Sequence, residues 1–112
     1  MPEVYVSVTG LRLKSRRHLL RFWWHAIGSM VQARRAPGNL KAETRTVGGV
    51  HHTLSVWTDE RAMRGFLASG AHRQAMLVFH AIATGRTIGF TAQRSPDWEG
   101  ALQRWQSEAK EV

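Results

Sequence analysis

Apolar and polar side chains alternate from residue 4 to 13. Val4, Val6 and Val8 share one side and Tyr5, Ser7 and Thr9 the other, the period-two pattern of a half-buried strand. At Gly10 the apolar phase slips by one and continues at Leu11 and Leu13, which predicts a bulge. Ser15 is placed to cap a helix, and residues 16–35 run without a breaker to Pro37-Gly38. On a helical wheel the apolar residues from Leu19 to Val31 span an arc of about 200°, with Trp23 near its centre. One sheet face does not need so wide an arc, so contact with a second helix is expected.

Residues 40–47 read as a weakly hydrophobic edge strand, and Gly48-Gly49 as a tight hairpin turn. The next strand runs from His51 to Thr58, with Leu54 and Val56 on one side and Thr53, Ser55 and Trp57 on the other. Thr58 caps a helix with Asp59 and Glu60 in its first turn and Met63, Phe66 and Leu67 as its buried stripe. Ser69-Gly70 interrupts it, and a second piece over 71–83 turns Met76, Phe79 and Ile82 inward. Residues 86–93 form a fourth strand with Ile88, Phe90 and Ala92 on its apolar side. Ser95-Pro96-Asp97 starts a last helix, proline first, in which Trp98, Leu102 and Trp105 recur at i, i+4 and i+7. That stripe must bury against its own sheet edge or a partner.

The order β-α-β-β-α-β plus a C-terminal helix predicts a ferredoxin-like α+β sandwich, one domain over 1–112, with both long helices on one face of a four-stranded antiparallel sheet. The other face, with Tyr5, Ser55 and Trp57, is too aromatic for a wetted surface and too polar for a core. A second copy or a ligand is expected to cover it.

Composition narrows the class. In 112 residues, 43% apolar and 21% charged side chains describe one globular domain, not a disordered tail. The absence of cysteine excludes disulfides, thiol nucleophiles and cysteine zinc sites. No apolar run approaches the roughly 18 residues of a membrane span, and the polar start Met1-Pro2-Glu3 is unlike a signal peptide, so a soluble cytoplasmic protein is expected. The formal charge is +8, and seven cations from Arg12 to Arg35 share a stretch with no acid. Such a cluster suits nucleic acid, an anionic membrane or an acidic small molecule, or is simply a solvated helix face.

Sequence signatures of most enzymes are missing: there is no Gly-x-Ser-x-Gly elbow, phosphate loop, Gly-x-Gly-x-x-Gly or His-Glu-x-x-His. His51 and His52 are adjacent on a strand and so point to opposite faces. His18 and His25 share a helix face with Arg21 between them and no carboxylate, so no metal site is expected. His72 opens the 71–83 helix on the side of Met76 and Phe79, where its imidazole would edge an apolar cavity.

The stretch from Thr53 to Met76 has a strand ending in Val56-Trp57, a helix with an apolar middle, then Phe66, five residues and His72. It resembles the dimeric α+β barrel superfamily of antibiotic biosynthesis monooxygenases. The opening Val4-Tyr5-Val6-Ser7-Val8-Thr9 and the Arg34-Arg35-Ala36-Pro37-Gly38 turn are similar to its spheroidene monooxygenase branch, haem-containing carotenoid oxygenases. The resemblance, over residues 4–93, implies a homodimer whose sheets pack face to face, covering Tyr5, Ser55 and Trp57. It also implies a pocket in each subunit between sheet and helices, lined by Trp23, Phe66, His72 and Met76. The haem-degrading branch uses an Asn, a Trp and a His that fall at or near Ser7, at Phe66 and at Met76. All three are replaced, so that mechanism does not carry over. Two options follow from the resemblance: haem held by His72, or cofactor-free oxidation in which a bound phenol activates oxygen.

The expected function is oxidation of a hydrophobic aromatic or polyene small molecule by a monooxygenase, with His72 as the catalytic group or haem ligand. The alternative is a non-catalytic ligand-binding or interaction protein on the same scaffold. RNA recognition motifs share the element order and stack bases on strand aromatics such as Tyr5 and Trp57. The third strand lacks their Lys/Arg-Gly-Phe-Gly-Phe pattern, which disfavours nucleic acid as a partner.

Overall fold

Alternating valine and hydroxyl residues make Val4–Leu13 (β1) the centre of an antiparallel sheet in a computed structural model that describes residues 3–111. Met1 and Pro2 of the polar start, and Val112, lie outside the described residues. A single 3₁₀ turn, Arg16–His18, leads into Leu19–Arg35 (α1). Asn39–Val47 (β2) and Val50–Trp57 (β3) form a hairpin around Gly48-Gly49, whose φ values of 57° and 79° suit a two-residue turn. Glu60–Leu67 (α2) and Gly70–Ile82 (α3) follow, then Ala83–Ala92 (β4), Trp98–Glu108 (α4) and the short Lys110–Glu111 (β5). The sheet order is β2-β3-β1-β4-β5, the ferredoxin-like arrangement with one small added strand. Among the described residues no helix is long and apolar enough to cross a membrane.

Local chemistry sets the helix ends. Ser15 accepts from the Arg17 amide at 3.4 Å, but it caps the 3₁₀ turn, so α1 begins later than residue 16. Asp59 rather than Thr58 caps α2, accepting from the Ala62 amide at 2.8 Å. Asp97 caps α4 through Gly100, which places Pro96 before the cap and not at the first helical position.

The expected bulge at Gly10 is absent: β1 pairs with β4 without a break from Val4 opposite Ala92 to Leu13 opposite Ala83. Odd-numbered positions of β1 all face α1 and α3. At the far end that side turns apolar, and Leu11 and Leu13 pack against Phe22, Phe79, Ile82 and Ala83. The irregularity lies in β2, at Leu40 between Asn39 and Lys41.

The largest correction concerns which layer covers which face. Val6, Val8, Leu54 and Val56 are buried under α4, whose Ala101 and Trp105 complete that core. Trp105 Nε1 donates to the Arg86 carbonyl at 2.8 Å, and the Arg86 guanidinium sits 4.4 Å from the ring centroid. Trp98 Nε1 donates to Glu43 Oε1 at 3.1 Å. The C-terminal indoles thus bury against their own sheet. The opposite face, carrying Tyr5, Ser55 and Trp57, lies under α1, α2 and α3, and Trp57 is fully buried among Ala33, Ala42 and Met63. These three residues are therefore not a surface awaiting a second copy. The physical reason is that α4's indoles need the most apolar surface available, which is the valine face, leaving the hydroxyl face to the other helices.

Candidate active site

Between the hydroxyl face and the three helices lies a cavity of about 470 Å³. Strand register builds its floor in rows. Ser7 stands between Ser55 and Gly89, and Thr9 between Thr53 and Thr87. The roof is apolar: Phe22 and Met30 come from α1, Met63 and Phe66 from α2, and Met76 and Phe79 from α3. His25, His51 and His72 also line the cavity, whereas His52 points to the other side of the sheet and meets Trp105 edge-on.

The hydroxyls are oriented. Ser55 Oγ accepts from Trp57 Nε1 at 2.9 Å, which leaves its own proton to give to a ligand. Thr87 Oγ1 donates to the Val8 carbonyl, so Thr9 supplies the proton of the 3.0 Å Thr9–Thr87 contact. Ser29 Oγ is buried, with no hydrogen-bond partner among the described residues. Burial, and secondarily the Glu60 carboxylate against a smaller effect of Arg64, pushes the Tyr5 phenol above its usual pKa. Tyr5 therefore remains a hydrogen-bond donor at neutral pH.

His72 is held from two sides. Gln32 Oε1 accepts from the His72 amide at 2.8 Å, while Gln32 Nε2 donates to the Ser69 carbonyl at 2.7 Å, so α1 clamps the junction of α2 and α3. Gly70 makes that junction possible: its φ is +56°, and a Cβ there would press on Gln32. His72 Nδ1 lies 3.3 Å from the Leu67 carbonyl, an acceptor only, so Nδ1 carries the proton and Nε2 keeps its lone pair. Burial lowers the His72 pKa and outweighs the opposing hydrogen bond to Leu67. The imidazole is neutral at pH 7, with its ring 4.6 Å from that of Phe66.

Phe66, His72 and Met76 line the cavity and Trp23 does not. That indole is turned outward, 36% exposed, with its edge against Phe22 and His51. Phe22, one position earlier and so 100° round the helix, takes the inward place. The alternation identifies the floor residues Tyr5, Ser7, Thr9 and Ser55 as one face, but not that this face lies under the helices. The signal for that is the C-terminal indole stripe.

No protein-family model matches the sequence and no curated protein matches it. Solved structures do. SnoaB, a cofactor-independent oxygenase from Streptomyces nogalater, is 21% identical; the match covers 87% of this chain and all of that one, with a TM-score of 0.68. The chain shares the ferredoxin-like α+β fold of these structures. A proposed antibiotic biosynthesis monooxygenase from Nitrosomonas europaea is 11% identical at TM-score 0.69, covering 81% of this chain and 89% of its own. A Shewanella oneidensis protein is 14% identical at TM-score 0.71, with 81% and 92% covered.

The lining does not fit haem. Among the described lining residues there is no arginine or lysine to meet the two propionates, and the imidazole of His72 is packed against Phe66. Among the described residues no three histidine, aspartate or glutamate side chains converge to hold a metal ion.

Proposed function

We propose that the cavity is the active site of a cofactor-free monooxygenase-type enzyme acting on a hydrophobic, electron-rich phenol. The observation that carries this reading is a neutral His72 with its Nδ1 proton committed to Leu67, in a cavity of apolar roof and hydroxyl floor. Nε2 takes the phenol proton. Protonated Tyr5 and the Ser55 hydroxyl are the available donors for the resulting phenolate oxygen. The phenolate supplies the electrons: one oxygen atom enters the ring and the other leaves as water, so phenol plus O₂ gives quinone plus water. The apolar roof keeps water from the reactive anion. A polyene has no acidic proton for His72 to remove, which favours the phenol. The cofactor-independent oxygenase of similar fold supports the same reading.

The homodimer expected from the sequence belongs with this proposal. Its interface would have to use a surface other than the Tyr5/Ser55/Trp57 face. RNA stacking loses its platform, because Trp57 is buried and Tyr5 lies under the helices.

The test is oxygen uptake with a panel of hydroxynaphthalenes and hydroxyanthracenes, with ¹⁸O₂ labelling. The expected result is turnover with one labelled atom in the product, lost in His72→Ala. Tight binding of the panel without uptake would make the protein a carrier instead.

A further inference from the structure

None of the seven cations between Arg12 and Arg35 lines the cavity, and no carboxylate occurs between Glu3 and Glu43. The helix that carries three of them, Arg21, Arg34 and Arg35, is apolar on two sides. Phe22, Ala26 and Ala33 of α1 face inward. Leu20, Trp24, Ile27 and Val31, at i, i+4, i+7 and i+11, form a second stripe pointing away from the protein, 86%, 79%, 61% and 45% exposed. On α3, which packs beside α1, Leu77 is 72% exposed. By helical spacing Arg21 and Arg35 flank the stripe on one side, with Arg16 and Arg17 in the preceding turn; on the other side the Arg34 guanidinium turns back to donate to the Ala42 carbonyl of β2 at 3.2 Å. Among the described residues none of these arginines is in an ion pair.

We propose that this outer face of α1 docks onto an anionic lipid bilayer. Leu20, Trp24, Ile27, Val31 and Leu77 enter the interfacial region, and the flanking arginines meet lipid phosphates. Charge complementarity selects this occupant. A second copy seated on the same stripe would bring two arginine rims together, with no acid in that stretch to meet them. A bilayer presents phosphate along the rim and hydrocarbon beneath the stripe, and an indole beside aliphatic side chains suits that boundary. The face belongs to the outside of the helical layer, so docking does not depend on the cavity being catalytic.

The experiment is co-sedimentation of the full chain with phosphatidylcholine vesicles, with and without phosphatidylglycerol. Binding is expected to the anionic vesicles, weakening as salt is raised, and to fall roughly fivefold for each arginine changed in Arg17→Gln and Arg21→Gln. Leu20→Ser with Trp24→Ser is expected to abolish it while leaving the circular dichroism and unfolding transition in place, since both side chains are exposed. Should that variant misfold, brominated lipid gives a second readout: quenching seen in the parent and missing in Trp24→Phe. Equal binding to neutral vesicles, no vesicle binding at low salt, or unchanged binding by the Leu20/Trp24 variant would overturn the proposal. So would a solution oligomer that this variant dissociates, or capture of an acidic protein in place of vesicles.

Discussion

The Tyr5 phenol lies directly over Gly89, on the neighbouring strand of the cavity floor, where any Cβ would occupy the place of the hydroxyl. Gly89→Ala therefore forces the Tyr5 ring to swing, and Tyr5 is one of the proposed donors. Overpacking of this kind costs about 1–3 kcal/mol. A lowered unfolding midpoint and weakened phenol binding are expected together; Tyr5→Phe should weaken binding without the loss of stability.

Ser55→Ala removes the acceptor of the Trp57 indole N–H, which is fully buried. An orphaned buried donor costs about 1–3 kcal/mol. Denaturant unfolding followed by Trp fluorescence should show that loss, whereas Ser55→Thr, which keeps an acceptor, should recover part of it.

Burial lowers the pKa of His72, His51 and His52, and at His52 it outweighs the opposing backbone hydrogen bond of Thr9. Each binds its proton less readily in the folded chain than in the unfolded one. Their stabilising contribution is therefore complete above the ordinary histidine value near 6.5 and is lost as pH falls from there through the lowered folded values. Thermal midpoints measured at falling pH should decline over that interval, and His72→Asn should flatten part of the decline. The base form of His72 also persists below pH 6.5, so oxygen uptake should survive mild acidification.

Trp105 closes the valine core and meets Gly10 so closely that a Cβ there would collide with the indole. Trp105→Ala is expected to cost about 3–5 kcal/mol. Gly10→Ala should destabilise by displacing the same ring. Both effects are read from thermal or denaturant unfolding of the full chain.

The order and type of β1 to β4 and of the helices were legible in the sequence, because period two and period 3.6 are local properties of neighbouring residues; the two-residue β5 and the 3₁₀ turn are too short to show a period. The placement of His51 and His52 on opposite faces of β3 was legible too. Neighbouring residues say which side chains share a face, but not what lies across from it. Hence Tyr5, Ser55 and Trp57 were grouped correctly and given the wrong cover, and an arc as wide as that of α1 left Trp23 and Phe22 indistinguishable as its inward residue.

Those choices are made between segments distant in the chain. The indoles of α4, some hundred residues after β1, compete for the valine face and take it, and α1 to α3 then close over the hydroxyl rows and create the cavity. Backbone periodicity was enough to read β1 to β4, the helices and most of the residues that share a face, but not the inward residue of α1 or the side taken by Leu11 and Leu13. Which face became core and which became site followed from the meeting of distant segments, because burial free energy depends on both surfaces.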